Sequence, residues 1–195
     1  ACPPILGIHN LARKWRSDRG HCRVWRRKAL AWLKADPPDH IILAHSDAYA
    51  ISTLAGTRVV GDKRAPLWRS GVKRTIRQMP GTSDVLVVGD IPENRINPVA
   101  CLRQNPADMS QCTTSRKPLA KRTIERAIEH GARSAGADYR RFFDKVCSYD
   151  PCPVVQGRVL IYRDRGHLTA TFAERLTPTF RSMLGDVIGS AGKGS

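Results

Sequence analysis

Asp39–His45 (DHIILAH) is a short apolar run closed off by Pro37-Pro38 before it and Ser46-Asp47 after it, the pattern of a buried strand. Asp84–Asp90 (DVLVVGD) carries four apolar residues in a row and ends in Gly89-Asp90, and Arg158–Tyr162 (RVLIY) is a third run of the same kind. A weaker fourth covers Tyr139–Phe143. Between these runs, apolar residues spaced three and four apart predict helices over about 22–34, 63–79 and 117–135, with Pro118 suited to a first turn. A last helix follows Thr169, a suitable N-cap, and aligns Phe172, Leu176, Phe180, Met183, Leu184, Val187 and Ile188 on one face. Pro178 should bend that helix or break it early, and the Gly/Ser-rich 189–195 reads as a flexible tail.

Strands that are apolar throughout and alternate with helices argue for an α/β fold with a parallel, doubly wound sheet covered on both faces. A chain of 195 residues makes one such domain, here over 1–188. Chemistry in such sheets gathers beyond the carboxyl ends of the strands. Three places are therefore nominated: His45-Ser46-Asp47, Gly89-Asp90 and Asp164–His167. The 91–116 segment reads as a long loop, a type that is usually functional or stapled.

Charge adds a second theme. The formal net charge is +16, and residues 1–80 hold 16 of the 33 Lys+Arg but only 5 of the 17 Asp+Glu. Arg23, Arg26, Arg27, Lys28 and Lys34 surround Val24, Trp25, Leu30 and Leu33, and read as the solvated face of an amphipathic helix. Arg64, Arg69, Lys73, Arg74 and Arg77 repeat the arrangement around Leu67, Val72 and Ile76. Phosphate binding fits these groups, as does attraction to anionic surface polymers or lipid headgroups. No nucleic-acid motif accompanies them, so no specific nucleic-acid partner is expected. A 41% hydrophobic fraction excludes wholesale disorder. No apolar stretch approaches the roughly 18 residues of a membrane span. Ala1-Cys2-Pro3-Pro4 lacks the basic start and apolar block of a secretory signal, so the chain reads as a soluble piece.

Six cysteines fall into neighbouring pairs, Cys2 with Cys22, Cys101 with Cys112 and Cys147 with Cys152, each closing a short loop outside the strongest helix and strand patterns. Sequence alone leaves about 15 connectivities open, and buried free thiols are the alternative. The absence of Cys-x-x-Cys, and of His at finger-like spacing from two Cys, argues against structural zinc. Three local disulfides would place the domain in an oxidising compartment.

Asp164-Arg165-Gly166-His167 follows RVLIY directly and precedes the capped helix. A His on such a turn can act as general base while an Asp three residues earlier accepts its Nδ1–H. The tetrapeptide alone proves little, because the same DRGH occurs at Asp18–His21 with no strand before it, where it reads as a surface turn.

With these residues in place, the stretch DPCPVVQGRVLIYRDRGHLTATFAERLTP (150–178) resembles the end of an SGNH-type hydrolase domain, of the variety fused to acyltransferase-3 membrane proteins that O-acylate cell-surface glycans. LVVGDIPENRINPVACL (86–102) with Cys112, ACPPI (1–5) and CRVWRRKALAWLKADPPDHIIL (22–43) extend the resemblance over nearly the whole chain. It implies a three-layer α/β/α sandwich, flavodoxin-like in its sheet, on the extracytoplasmic side of the membrane. The implied activity is acyl (acetyl) transfer to a glycan hydroxyl through a serine ester, without cofactor or metal. His167 would be the base and Asp164 its orienter, with the acyl donor delivered by a membrane acyltransferase domain.

One part of the family pattern is missing. The family nucleophile lies in a Gly-Asp-Ser turn after a first strand, upstream of the segment resembling ACPPI. In this chain Gly-Asp occurs at Gly61-Asp62, Gly89-Asp90 and Gly185-Asp186, never followed by Ser. The Gly-x-Asn block has no clear match either. Ser46 is the one serine in the right layer, where the family usually contributes to the oxyanion side. Its neighbours His45 and Asp47 would point to the face opposite it, so HSD is no triad. The chain is therefore expected to lack its first strand and its nucleophile, and to show little or no turnover alone. An inactive basic module that binds anionic envelope polymers is the competing expectation, and a nucleic-acid binder a third.

Overall fold

The computed structural model describes residues 2–10, 19–47, 51–53, 57–116 and 122–191. Along the chain run β1 (His9–Asn10), α1 (Arg19–Ala35), β2 (His40–Ala44), β3 (Ile51–Ser52), β4 (Arg58–Val59), α2 (Arg64–Ile76) and β5 (Asp84–Val88). Then follow α3 (Pro98–Gln104), α4 (Arg122–Arg133), β6 (Asp138–Arg140), α5 (Phe143–Val146), β7 (Val155–Gln156), β8 (Val159–Leu160), α6 (Ala170–Arg175) and α7 (Thr177–Ala191). They form two compact units, one of residues 1–89 with 122–140, the other of 90–121 with 141–195.

The first unit is built on a parallel ladder in the order β2-β5-β6. Ile41 pairs with Val85 and Leu43 with Val87, while Val87 pairs with Tyr139. One face of the ladder supplies Ile41, Leu43, Val85, Val87 and Tyr139 to a core completed by Trp68, Val72 and Ile76 of α2 and Ile124, Ile128 and Ala132 of α4. The other side of β2 alternates outward, and Ile42 is 46% exposed. Helices α2 and α4 pack closely because Gly131 has no side chain: a Cβ there would stand 2.6 Å from the Arg69 carbonyl oxygen. A small antiparallel sheet, β1-β3-β4, lies outside the ladder and had no sequence signal of its own.

Helix α1 departs from its expected face. Arg26 is buried, and its Nη1 donates to the Pro3 carbonyl at 2.8 Å, while Val24 and Trp25 are exposed. The reason lies in the N-terminal segment, tied to α1 by the Cys2–Cys22 disulfide. That bond turns the Cys22, Arg26, Leu33 side of the helix inward; the guanidinium enters because backbone carbonyls satisfy it. Asp18 of the first DRGH lies outside the described residues. Arg19, Gly20 and His21 open α1, so that copy is helical rather than a surface turn.

The second unit gathers Cys112, Val146, Val154, Ile161, Tyr162 and Phe172. The RVLIY run differs from expectation: Val159–Leu160 pairs antiparallel with Val155–Gln156 in a two-stranded hairpin and does not join the parallel ladder. Ile161 and Tyr162 are fully buried there as core residues rather than ladder residues. The 91–116 stretch is likewise more ordered than a loop. It holds α3, capped by Asn97 Oδ1 accepting from Val99 N at 3.0 Å, and a 3-10 turn over Met109–Cys112.

All three neighbouring cysteine pairs are disulfides, with Cα–Cα separations of 5.3, 5.7 and 4.8 Å in chain order. Cys22 and Cys101 stand inside α1 and α3, so those two bridges staple helices rather than loops alone. Arg116 fastens the Cys147–Cys152 loop by donating Nη1 to the Cys147 carbonyl and Nη2 to Asp144 Oδ1. Thr169 caps α6, accepting from Phe172 N at 3.2 Å, and the helix breaks ahead of Pro178, which lies in the first turn of α7. Helix α7 continues through Ala191, so 189–191 are helical; 192–195 lie outside the described residues, as does Pro118. Among the described residues no helix is long and apolar enough to cross a membrane.

Candidate active site

The turn after β8 is built by its own residues. Tyr162 and Leu168 face each other in an antiparallel bridge, and Arg163 N donates to the His167 carbonyl at 3.0 Å. Inside this loop Asp164 Oδ1 accepts from Gly166 N and from His167 N, both at 2.9 Å. An Asp that collects the amides two and three residues ahead closes the chain into a tight turn, which is why Asp-x-x-His folds locally. The other end is pinned by Thr169, whose hydroxyl donates to the Leu160 carbonyl at 2.6 Å while its N–H donates to that of Ile161 at 2.9 Å.

Asp164 and His167 are thereby brought together as expected. His167 Nδ1 lies 2.9 Å from Asp164 Oδ1 and 2.9 Å from Oδ2. A carboxylate on Nδ1 fixes the Nδ1–H tautomer and leaves Nε2 as the basic nitrogen, on a ring 67% exposed. The Gly166 N–H, followed by the His167 ring and N–H, holds Asp164 below the usual carboxylate range against the opposing effect of partial burial. The pair has the geometry of a base with its orienter, and its accessible face can receive a proton from a nucleophile presented to it.

A residue without a sequence signal supports the turn from the 91–97 segment. Asn94 N donates to the Arg165 carbonyl at 2.7 Å, and Arg165 Nε donates back to the Asn94 carbonyl at 3.0 Å. The Asn94 side chain is buried, and so is the Tyr162 hydroxyl, whose pKa desolvation raises. Only the Pro92 to Asn97 composition could have hinted at such a clamp.

The other nominated positions lie at strand ends. Ser46 follows β2 and is half-buried, and Asp47 is buried with its carbonyl accepting from Arg64 Nη2 at 2.9 Å. His45 stacks against Trp68 with ring centroids 5.3 Å apart, and burial lowers its pKa to about 4 against the opposing pull of Asp47. A base must be accessible and near neutrality; His45 is only partly exposed and its pKa lies well below neutrality. Gly89 N donates to the Arg140 carbonyl at 2.9 Å, and Asp90 Oδ1 accepts from Ile91 N at 2.9 Å, so this corner is spent on local structure. Among the described residues no group of three or more His, Cys, Asp or Glu is placed to hold a metal ion.

Comparison with known proteins gives two findings. The solved structure of the Salmonella ser. Paratyphi A lipopolysaccharide acetyltransferase periplasmic domain superposes with a TM-score of 0.68 at 18% identity, covering 94% of this chain and 69% of that one. At that identity the likeness shows a shared fold, which is the α/β class expected. No curated protein sequence matches. The family model of the SGNH domain (fused to AT3 domains) matches residues 1–182, across both units. The chain belongs to that family of SGNH domains.

Proposed function

We propose that residues 1–188 act as one SGNH-like domain of a cell-envelope O-acyltransferase, with His167 as general base and Asp164 as its orienter. The observation that carries this is the Asp164 carboxylate seated on His167 Nδ1 at 2.9 Å in a turn both residues help to build. The nucleophile is a serine of a Gly-Asp-Ser block, which these 195 residues do not contain. Its Oγ attacks the acyl carbonyl as its proton passes to His167 Nε2; His167 then protonates the departing group of the donor. A glycan hydroxyl next gives its proton to the same nitrogen and takes the acyl group, regenerating the serine. The acyl group is acetyl, and a membrane acyltransferase domain delivers it, as the AT3 fusions of the family suggest. The three disulfides support an extracytoplasmic setting.

The test uses a parent protein that carries the serine. His167→Ala should abolish transfer of acyl groups to the envelope glycan while leaving the protein folded, and retained transfer would sink the assignment. Ser46→Ala should leave transfer unchanged; if it alone abolished transfer, Ser46 would be the nucleophile instead. This chain by itself should turn over simple esters slowly or not at all.

A further inference from the structure

The first unit holds a cavity of about 440 Å³ between α1 and the segment Leu6 to His9. Arg23, Arg26, Arg27 and Lys34 all line it, and among the described residues no acidic side chain does. Successive turns of α1 bring these cations to one side, since 23, 26, 27 and 34 share a helix face. Like charges converging on a concave surface repel one another, and the low-dielectric walls strengthen that field. Arg26 is buried among them, with its pKa lowered by desolvation and its Nη1 fixed on the Pro3 carbonyl. A further guanidinium stands behind the wall: Arg74 Nη2 donates to the Leu6 carbonyl at 3.2 Å and lies 2.5 Å from where a Gly7 Cβ would be.

Such an arrangement is stabilised by an anion. Guanidinium groups offer paired N–H donors that match carboxylate and phosphate oxygens, and several cations converging on one cavity suit the three terminal oxygens and up to two negative charges of a phosphoryl group. The volume exceeds that of a bare phosphate and falls in the range of sites for small organic molecules. Leu6, Leu30 and Ala31 supply an apolar wall for the carbon skeleton of such a molecule. We propose that the cavity between α1 and Leu6–His9 is a phosphoryl-binding site that takes a phosphate ester carried on a sugar or glycerol unit. It uses residues of the first unit alone and stands whether or not His167 proves to be the base.

The test is a titration of the 195-residue chain with glucose 1-phosphate, read by calorimetry. Saturable one-to-one binding is expected. Arg23→Glu with Arg27→Glu should weaken it about tenfold or more, equivalent to about 1.4 kcal/mol. Arg58→Glu with Arg126→Glu changes the net charge equally at exposed positions that do not line the cavity, and should weaken it less than about twofold. Arg23→Lys with Arg27→Lys, which keeps the charge, guards against a loss through misfolding and should bind more tightly than the Glu pair. Equal losses from the two Glu pairs would reduce the site to general attraction and overturn the proposal, as would an absence of saturable binding. Phosphatidylcholine vesicles with and without phosphatidic acid separate the sources. Binding to the phosphatidic acid vesicles that glucose 1-phosphate displaces assigns the site to a lipid headgroup, and saturable sugar-phosphate binding without vesicle binding assigns it to a soluble ester.

Discussion

Asp164 does two jobs with one carboxylate, and substitution separates them. Asp164→Asn keeps an oxygen for the Gly166 and His167 amides but turns an NH2 toward His167 Nδ1, which favours the wrong tautomer. In the serine-containing parent, acyl transfer should fall about a thousandfold or more, with the fold intact at neutral pH. Because the folded pKa is depressed, the ionised Asp164 contributes stability that is complete above the ordinary carboxylate value and lost as pH falls through the folded one. Urea midpoints of the wild type and Asp164→Asn should therefore converge at acid pH. His45 also has a depressed pKa and the same sign, at higher pH. The unfolded state takes up a proton near 6.5 and the folded state only near about 4, so stability should decline as pH falls across that window. Its Nδ1 is buried without a hydrogen-bond partner, so His45→Phe sacrifices no bond there. Urea midpoints measured between pH 7 and pH 4 should show a shallower slope for that variant; an unchanged slope would mean His45 does not set it.

Helices were legible where their signals are local. Thr169 caps one helix and Pro178 sits in the first turn of the next because each acts on the turn it belongs to. The buried face of α1 was not legible, because it is set by Cys2 and the Pro3 carbonyl, about twenty residues away in sequence. Trp25 and Arg26 consequently exchange the environments their polarity alone would give them. Two changes test the element contacts. Gly131→Ala forces a Cβ against the Arg69 carbonyl oxygen, backbone on backbone, and should cost about 1–3 kcal/mol in denaturant unfolding despite alanine's better helix propensity. Replacing Cys101 and Cys112 together by Ala frees a loop of sequence separation 11 and should cost about 2–3 kcal/mol by the same measurement. Asn94 and its clamp on Arg165 should then loosen first, visible as faster hydrogen exchange at Asn94 N.

At the scale of the whole chain, apolar runs at Ile41–Leu43 and Val85–Val88 that alternate with helices were enough to anticipate a parallel ladder, although Ile42 of β2 is left 46% exposed. RVLIY passes the same test yet closes a hairpin, because a run of four apolar residues does not say whether its backbone pairs with a distant strand or with the turn beside it. Asp164 and His167 were legible from chain order, whereas Asn94 was not, since its part is played by backbone groups. The ladder also carries the last consequence. With the order β2-β5-β6, β2 is an edge among the described residues, and an apolar one. Exposed edges of that composition recruit another strand. If the Gly-Asp-Ser block enters the sheet, the strand ahead of its serine pairs with β2. The β2 amides that point away from β5 should then exchange with solvent at least about tenfold more slowly in the parent protein than in the 195-residue chain, while β5 amides change little. Equal β2 rates in the two proteins would place the serine strand elsewhere.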